Sequence, residues 1–107
     1  MSAEPTSPSG AERRRGPRVN RRVAIRISWH DAGADRSEDT HTIAISQFGC
    51  GVESAQNIPP GTVLELSCEG RRIQGKLSYV LRSSRAAHFE LGIGFARDGS
   101  EFWGVTF

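Results

Sequence analysis

A chain of 107 residues, 36% hydrophobic and 24% charged, holds one small domain at most. The formal net charge of +2 hides a division: residues 1–26 carry seven Arg against Glu4 and Glu12, a net +5, whereas residues 27–107 carry seven basic and ten acidic residues, a net −3. No apolar run approaches the roughly 18 residues of a membrane span, and the opening MSAEPTSPSG lacks the apolar centre of a secretion signal, so a cytoplasmic protein is expected.

Residues 1–11 are rich in Ser, Pro, Ala and Gly and cannot offset their ordering entropy; a disordered tail is expected there. Residues 12–22 begin with ERRRGPRVN, have no apolar periodicity, contain Gly16-Pro17 and read as an extended, flexible arm. The pattern then changes. Val23, Ile25, Ile27 and Trp29 alternate with Ala24, Arg26 and Ser28, as in a strand with one buried face. The polar stretch from His30 to Asp39 is expected to be a loop around Gly33, followed by a strand from Thr40 to Ser46 with Ile43 and Ile45 on one side.

The segment from Gln47 to Gly51 predicts a two-glycine turn, Gly51 to Ser54 a short strand, and Asn57 to Gly61 a strong Pro-Gly turn. Strands are expected from Thr62 to Cys68 and, after a tight turn at Glu69-Gly70, from Arg71 to Arg82, with Ile73, Gly75, Leu77, Tyr79 and Leu81 on one face. From His88 to Phe95 the residues Phe89, Leu91, Ile93 and Phe95 alternate without a break. The C-terminal residues Phe102, Trp103, Val105 and Phe107 read as a terminal turn or short helix packed over an open edge or end. Six strands with frequent turns predict an all-β fold, a small six-stranded antiparallel β-barrel over residues 23–95 with a cap over 96–107, the domain as a whole running from 12 to 107.

Chemistry-bearing residues are sparse. His30, His41 and His88 lack a neighbouring nucleophile and acid, and are expected on strand faces. Asp31, Asp35, Glu38 and Asp39 lack calcium-loop spacing, and Cys50 and Cys68 lack zinc spacing, so no metal site and no cofactor is predicted. Gly92 and Gly94 alternate with core residues and suggest close backbone packing. No catalytic residues are assigned, and a body this small favours a binding module over an enzyme.

The arm is informative. Arg13, Arg14, Arg15, Arg18, Arg21 and Arg22 fall within ten residues, and guanidinium groups bind phosphate bidentately and stack on flat rings. Farther on, Ile45-Ser46-Gln47-Phe48-Gly49 ends a strand in a hydroxyl residue and a glycine turn. With Arg14-Arg15-Gly16-Pro17-Arg18 matching an RxxxR motif and Ala44-Ile45-Ser46-Gln47-Phe48-Gly49 matching most of a [D/N]xSxxG motif, the chain from about Glu12 to Phe95 resembles the PilZ domain family of cyclic di-GMP receptors.

That resemblance implies a receptor in which Arg14 and Arg18 wrap cyclic di-GMP, Arg13 and Arg15 add charge, Ser46 bonds a guanine or its phosphate, and Gly49 leaves room for the ring. Signalling to a downstream protein would follow from ordering of the arm. Ala44 departs from the family's Asp or Asn and removes one hydrogen-bonding side chain. Two other functions stay open. One is a PilZ-like protein-interaction module that no longer takes nucleotide, using Phe102, Trp103 and Phe107 as exposed aromatics; the other is a nucleic-acid-binding barrel with a basic arm, for which Phe48 and Tyr79 are the stacking rings at hand.

Overall fold

A computed structural model describes residues 18–82 and 88–107; the expected tail, Arg13, Arg14, Arg15 and the link from Ser83 to Ala87 lie outside the described residues. The described chain contains seven strands and one helical turn: β1 (Arg18–Asn20), β2 (Ala24–Asp31), β3 (Ala34–Ser46), β4 (Gly49–Ser54), β5 (Val63–Cys68), β6 (Arg71–Arg82), β7 (Phe89–Phe95) and α1 (Ser100–Trp103). Every pairing is antiparallel, in the order β1-β3-β2-β5-β6-β7-β4, and a further β3–β4 pairing closes β2 to β7 into the six-stranded barrel that the alternating pattern predicts. No helix among the described residues is long and apolar enough to cross a membrane.

The arm's last residues are a seventh strand rather than free chain. On one edge of β3, β2 pairs with Ala34 to His41 and β1 takes over at Ala44 to Ser46, with Arg18 opposite Ser46, Val19 opposite Ile45 and Asn20 opposite Ala44. The crossing between β1 and β2 is held by Thr42, whose hydroxyl donates to the Arg21 carbonyl (2.6 Å) and accepts from the Val23 amide (2.9 Å).

The core is built from the alternation read in the sequence. Ile25, Ile27 and Trp29 of β2 meet Leu64 and Leu66 of β5, Ile73 and Leu77 of β6, and Leu91, Ile93 and Phe95 of β7. α1 caps one end: Phe102 and Trp103 are buried, with ring centroids 4.8 Å apart and 6.4 and 6.0 Å from Phe95. Burial of Phe102 and Trp103, and half-burial of Phe107, agrees with the packed terminal turn or helix and withdraws the exposed aromatics that the interaction-module alternative called for. Their apolar area is spent inside the domain.

Three expectations fail for physical reasons. The loop from His30 to Asp39 is instead a two-residue hairpin turn at Ala32-Gly33, with β3 starting at Ala34. This hairpin projects beyond the core, so neither face needs apolar residues; cross-strand pairs such as His30–Asp35 (2.9 Å) and Asp31–Arg36 (3.2 Å) line it instead. Ile43 and Ile45 do not share a face, because an irregularity between Thr42 and Ala44 leaves Ile43 37% exposed and Ile45 buried. A second irregularity between Leu77 and Tyr79 ends the inward run of β6 and turns Tyr79 and Leu81 out to 38% and 54% exposure. A bulge reverses the alternation beyond it.

Candidate ligand-binding site

The two bulges flank one outer face of the barrel, where β4 and β7 carry almost no side chains. Gly49 pairs with Gly94 and Gly51 with Gly92; on β3 their neighbours are Ser46 and Ala44. Together they floor an open groove of about 600 Å³, lined also by Arg18, Phe48, Ser78 and Tyr79. Glycine here allows close approach. A Cβ on Gly49 would lie 2.5 Å from the Ile93 carbonyl oxygen, and one on Gly92 would fall among the ring atoms of Tyr79, which covers that strand. Of the alternating glycines of β7, Gly92 is thus closely packed, against the Tyr79 side chain, whereas a Cβ on Gly94 would meet only Ser78 Oγ at 3.5 Å, an ordinary contact.

Arg18 and Ser46 stand opposite each other on β1 and β3, so residues from the two halves of the sequence pattern share one face. The Arg18 side chain leans across Ala44, which is 1% exposed, and its Nη2 lies 3.4 Å from where a Gly51 Cβ would be. Ser46 Oγ donates to the Gly49 carbonyl across the turn at 3.2 Å. That is long for a hydroxyl bond.

The turn itself is anchored from the C-terminal side. Trp103 Nε1 donates to the Ser46 carbonyl (3.1 Å), the Gly99 amide to the Gln47 carbonyl (2.6 Å), and Gln47 Nε2 to Asp98 Oδ2 (2.6 Å). The bonds that Asp98 accepts from Ser100 and Gln47 hold its carboxyl below the usual 3.8. Ser46 and Gly49 are thus presented on a braced turn. Beside them Cys50 is a free, half-buried thiol, and burial pushes it up well beyond the ordinary thiol range.

One end of the groove is polar. Glu90 of β7 sends Oε2 to 3.9 Å from Arg18 Nη2, within 3.3 Å of the Tyr79 hydroxyl, and 3.6 Å from the missing Cβ of Gly51. Burial first, and the Glu90 charge next, raise the Tyr79 phenol above 10.0, while Arg18 opposes them. Opposite Glu90 on β4 is Glu53, whose carboxylate pairs with His41 Nε2 (2.8 Å) and lies 3.2 Å from His88 Nδ1. Among the described residues no group of three His, Cys, Asp or Glu side chains is placed to hold a metal ion.

Of the sequence-predicted site residues, Arg18, Ser46 and Gly49 meet in this groove, whereas Arg13, Arg14 and Arg15 lie outside the described residues. Tyr79 and Glu90 are additions. The signal for Glu90 is the face of β7 opposite its core residues, which it shares with Gly92 and Gly94; Tyr79 is named from the sequence only as a stacking ring for nucleic acid, and no sequence feature marks the bulge that turns it outward.

The comparisons agree with this geometry. No curated protein and no solved structure matches the chain, but the family described as PilZ domain matches residues 12–101. PilZ domains are binding and adaptor modules associated with cyclic di-GMP. With the match spanning nearly the whole chain, and a six-stranded barrel beneath it, the chain belongs to the PilZ domain family.

Proposed function

We propose that this protein is a cyclic di-GMP receptor that binds the nucleotide in the glycine-floored groove and signals to a downstream protein by ordering its Arg-rich arm. The observation that carries the reading is the cross-strand pairing of Arg18 with Ser46 on the lip of that groove. A cyclic dinucleotide has two flat purines and two phosphates. A floor without side chains admits the purine, and a guanidinium on the rim bonds phosphate oxygens and stacks on the ring.

Arg14 lies four residues before Arg18 and closes over the ligand from the arm, with Arg13 and Arg15 adding charge. The Ser46 hydroxyl exchanges its long bond to Gly49 for a ligand oxygen. Charge-assisted bonds contribute roughly 1.5–3 kcal/mol each, against about 1–2 kcal/mol for each arm residue ordered. A few such bonds are enough to hold a short stretch of arm.

Calorimetric titration of the full chain with cyclic di-GMP tests the proposal. Heat of binding in the parent, lost in an Arg14→Ala, Arg18→Ala double variant, is expected together with protection of the arm from trypsin; no heat in the parent at high ligand concentration would overturn it. Ala44 favours a second reading, an interaction module that has given up the nucleotide. If Ala44→Asp alone creates binding in a parent that has none, that second reading holds.

A further inference from the structure

The groove lacks a hydrogen-bonding side chain at position 44, yet it is not without a carboxylate. We infer that Glu90 supplies it from the neighbouring strand and is the residue that recognises the guanine base, an inference that rests on the cyclic di-GMP reading above.

Three features carry this. The carboxylate of Glu90 lies over Gly51, which is the direct cross-strand neighbour of Ala44, so it occupies the region that a longer side chain at 44 would reach. It is held there on two sides, by the Tyr79 hydroxyl at 3.3 Å and by Arg18 at 3.9 Å, and it is 29% exposed. Finally, it is the carboxylate turned toward the floor at that end, because Glu53 beside it is already paired with His41.

An ionised carboxylate has two acceptor oxygens and no donor. Guanine presents two adjacent donors on its Watson–Crick edge, N1–H and the exocyclic amine, and a carboxylate can accept both side by side. Adenine offers an acceptor at N1 and is repelled; hypoxanthine keeps N1–H but lacks the amine and forfeits one bond. The Arg18–Glu90 distance is too long for a strong hydrogen bond, so the guanidinium can turn to phosphate while the Tyr79 hydroxyl keeps the carboxylate at the base.

The opposite role is also chemically definite. A carboxylate beside Arg18 can compete with an anionic ligand for the guanidinium, in which case its removal strengthens binding. The two roles predict effects of opposite sign.

The test is calorimetry of the full-length parent, Glu90→Gln and Glu90→Ala with cyclic di-GMP, its hypoxanthine analogue cyclic di-IMP, and cyclic di-AMP. The parent is expected to prefer guanine to hypoxanthine by about tenfold, and Glu90→Ala to lose roughly 10- to 100-fold for cyclic di-GMP while erasing that preference. Glu90→Gln should fall between, because its carboxamide keeps one acceptor. Unchanged or tighter binding of cyclic di-GMP by Glu90→Ala, or an undiminished guanine preference in it, would overturn the role of Glu90 and leave the receptor reading standing. A parent that binds none of the three ligands overturns both.

Discussion

Gly49 and Gly92 show how a missing side chain can be required for different reasons. At Gly49 the obstacle to a Cβ is the Ile93 carbonyl, part of the backbone of β7; β4 and β7 would have to separate to admit it. At Gly92 the obstacle is the Tyr79 ring, which is half exposed and can rotate away. Gly49→Ala is therefore expected to destabilise the domain by about 1–3 kcal/mol in urea denaturation, with Gly92→Ala costing less and exposing the tyrosine instead. Equal stability of Gly49→Ala and the parent would contradict the close approach. It also follows that a loss of ligand binding in Gly49→Ala would report the strand pairing as much as any room left for a purine.

Among the elements, the turn between β3 and β4 and the short α1 act as one unit, joined through Trp103, Gln47 and Asp98. The sign of the pH effect at Asp98 is set by its lowered carboxyl. A carboxyl lowered on folding adds stability that is complete above its unfolded value and is lost as pH falls through the folded one. The brace between α1 and the turn is thus expected to loosen as pH falls below the ordinary 3.8, seen as a change in tryptophan emission below about pH 4 that Asp98→Asn diminishes. An unaltered pH profile in that variant would count against the brace.

Legibility from sequence divides at the same scale. Strands with one buried face, such as Val63–Cys68 and Phe89–Phe95, were plain because their apolar residues recur every second position. The bounds of β6 are plain in the sequence, but its faces past Leu77 are not, since a bulge shifts the phase without altering the composition. The hairpin around Gly33 reads as a loop because, projecting past the core, it needs no apolar face. In the site, Arg18, Ser46 and Gly49 were legible through motif spacing, and the carboxylate of Glu90 through the alternation of β7; its meeting with Arg18 and Tyr79 depends on tertiary register that one sequence does not carry.

At the scale of the whole molecule, the division of charge separates a small-ligand receptor from a nucleic-acid binder. Residues 27–107 carry a net −3, so a long polyanion lying along the barrel meets repulsion beyond the arm, whereas a dianion held at the arm's base does not. Binding of cyclic di-GMP is expected to weaken by no more than about tenfold between 50 and 200 mM salt, through ordinary screening. Duplex DNA held by six or more Arg–phosphate contacts would lose about 10³- to 10⁵-fold over the same range. A loss of that size, measured by gel shift, would shift the function to nucleic acid.

The three-residue β1 has one further consequence. It is paired on a single edge, by Arg18, Val19 and Asn20 against Ser46, Ile45 and Ala44, and Val19 is itself exposed, so its alignment depends on the bonds that follow it, the buried Thr42 hydroxyl on the Arg21 carbonyl and the Arg21 amide on the Ile43 carbonyl. Successive residues of a strand point to opposite faces. A slip of β1 by one residue would carry Arg18 off the groove and set Val19 over the floor in its place, and it would break both of those bonds at Arg21. The buried Thr42 hydroxyl, outside the groove, thus decides which residue of the arm faces its floor.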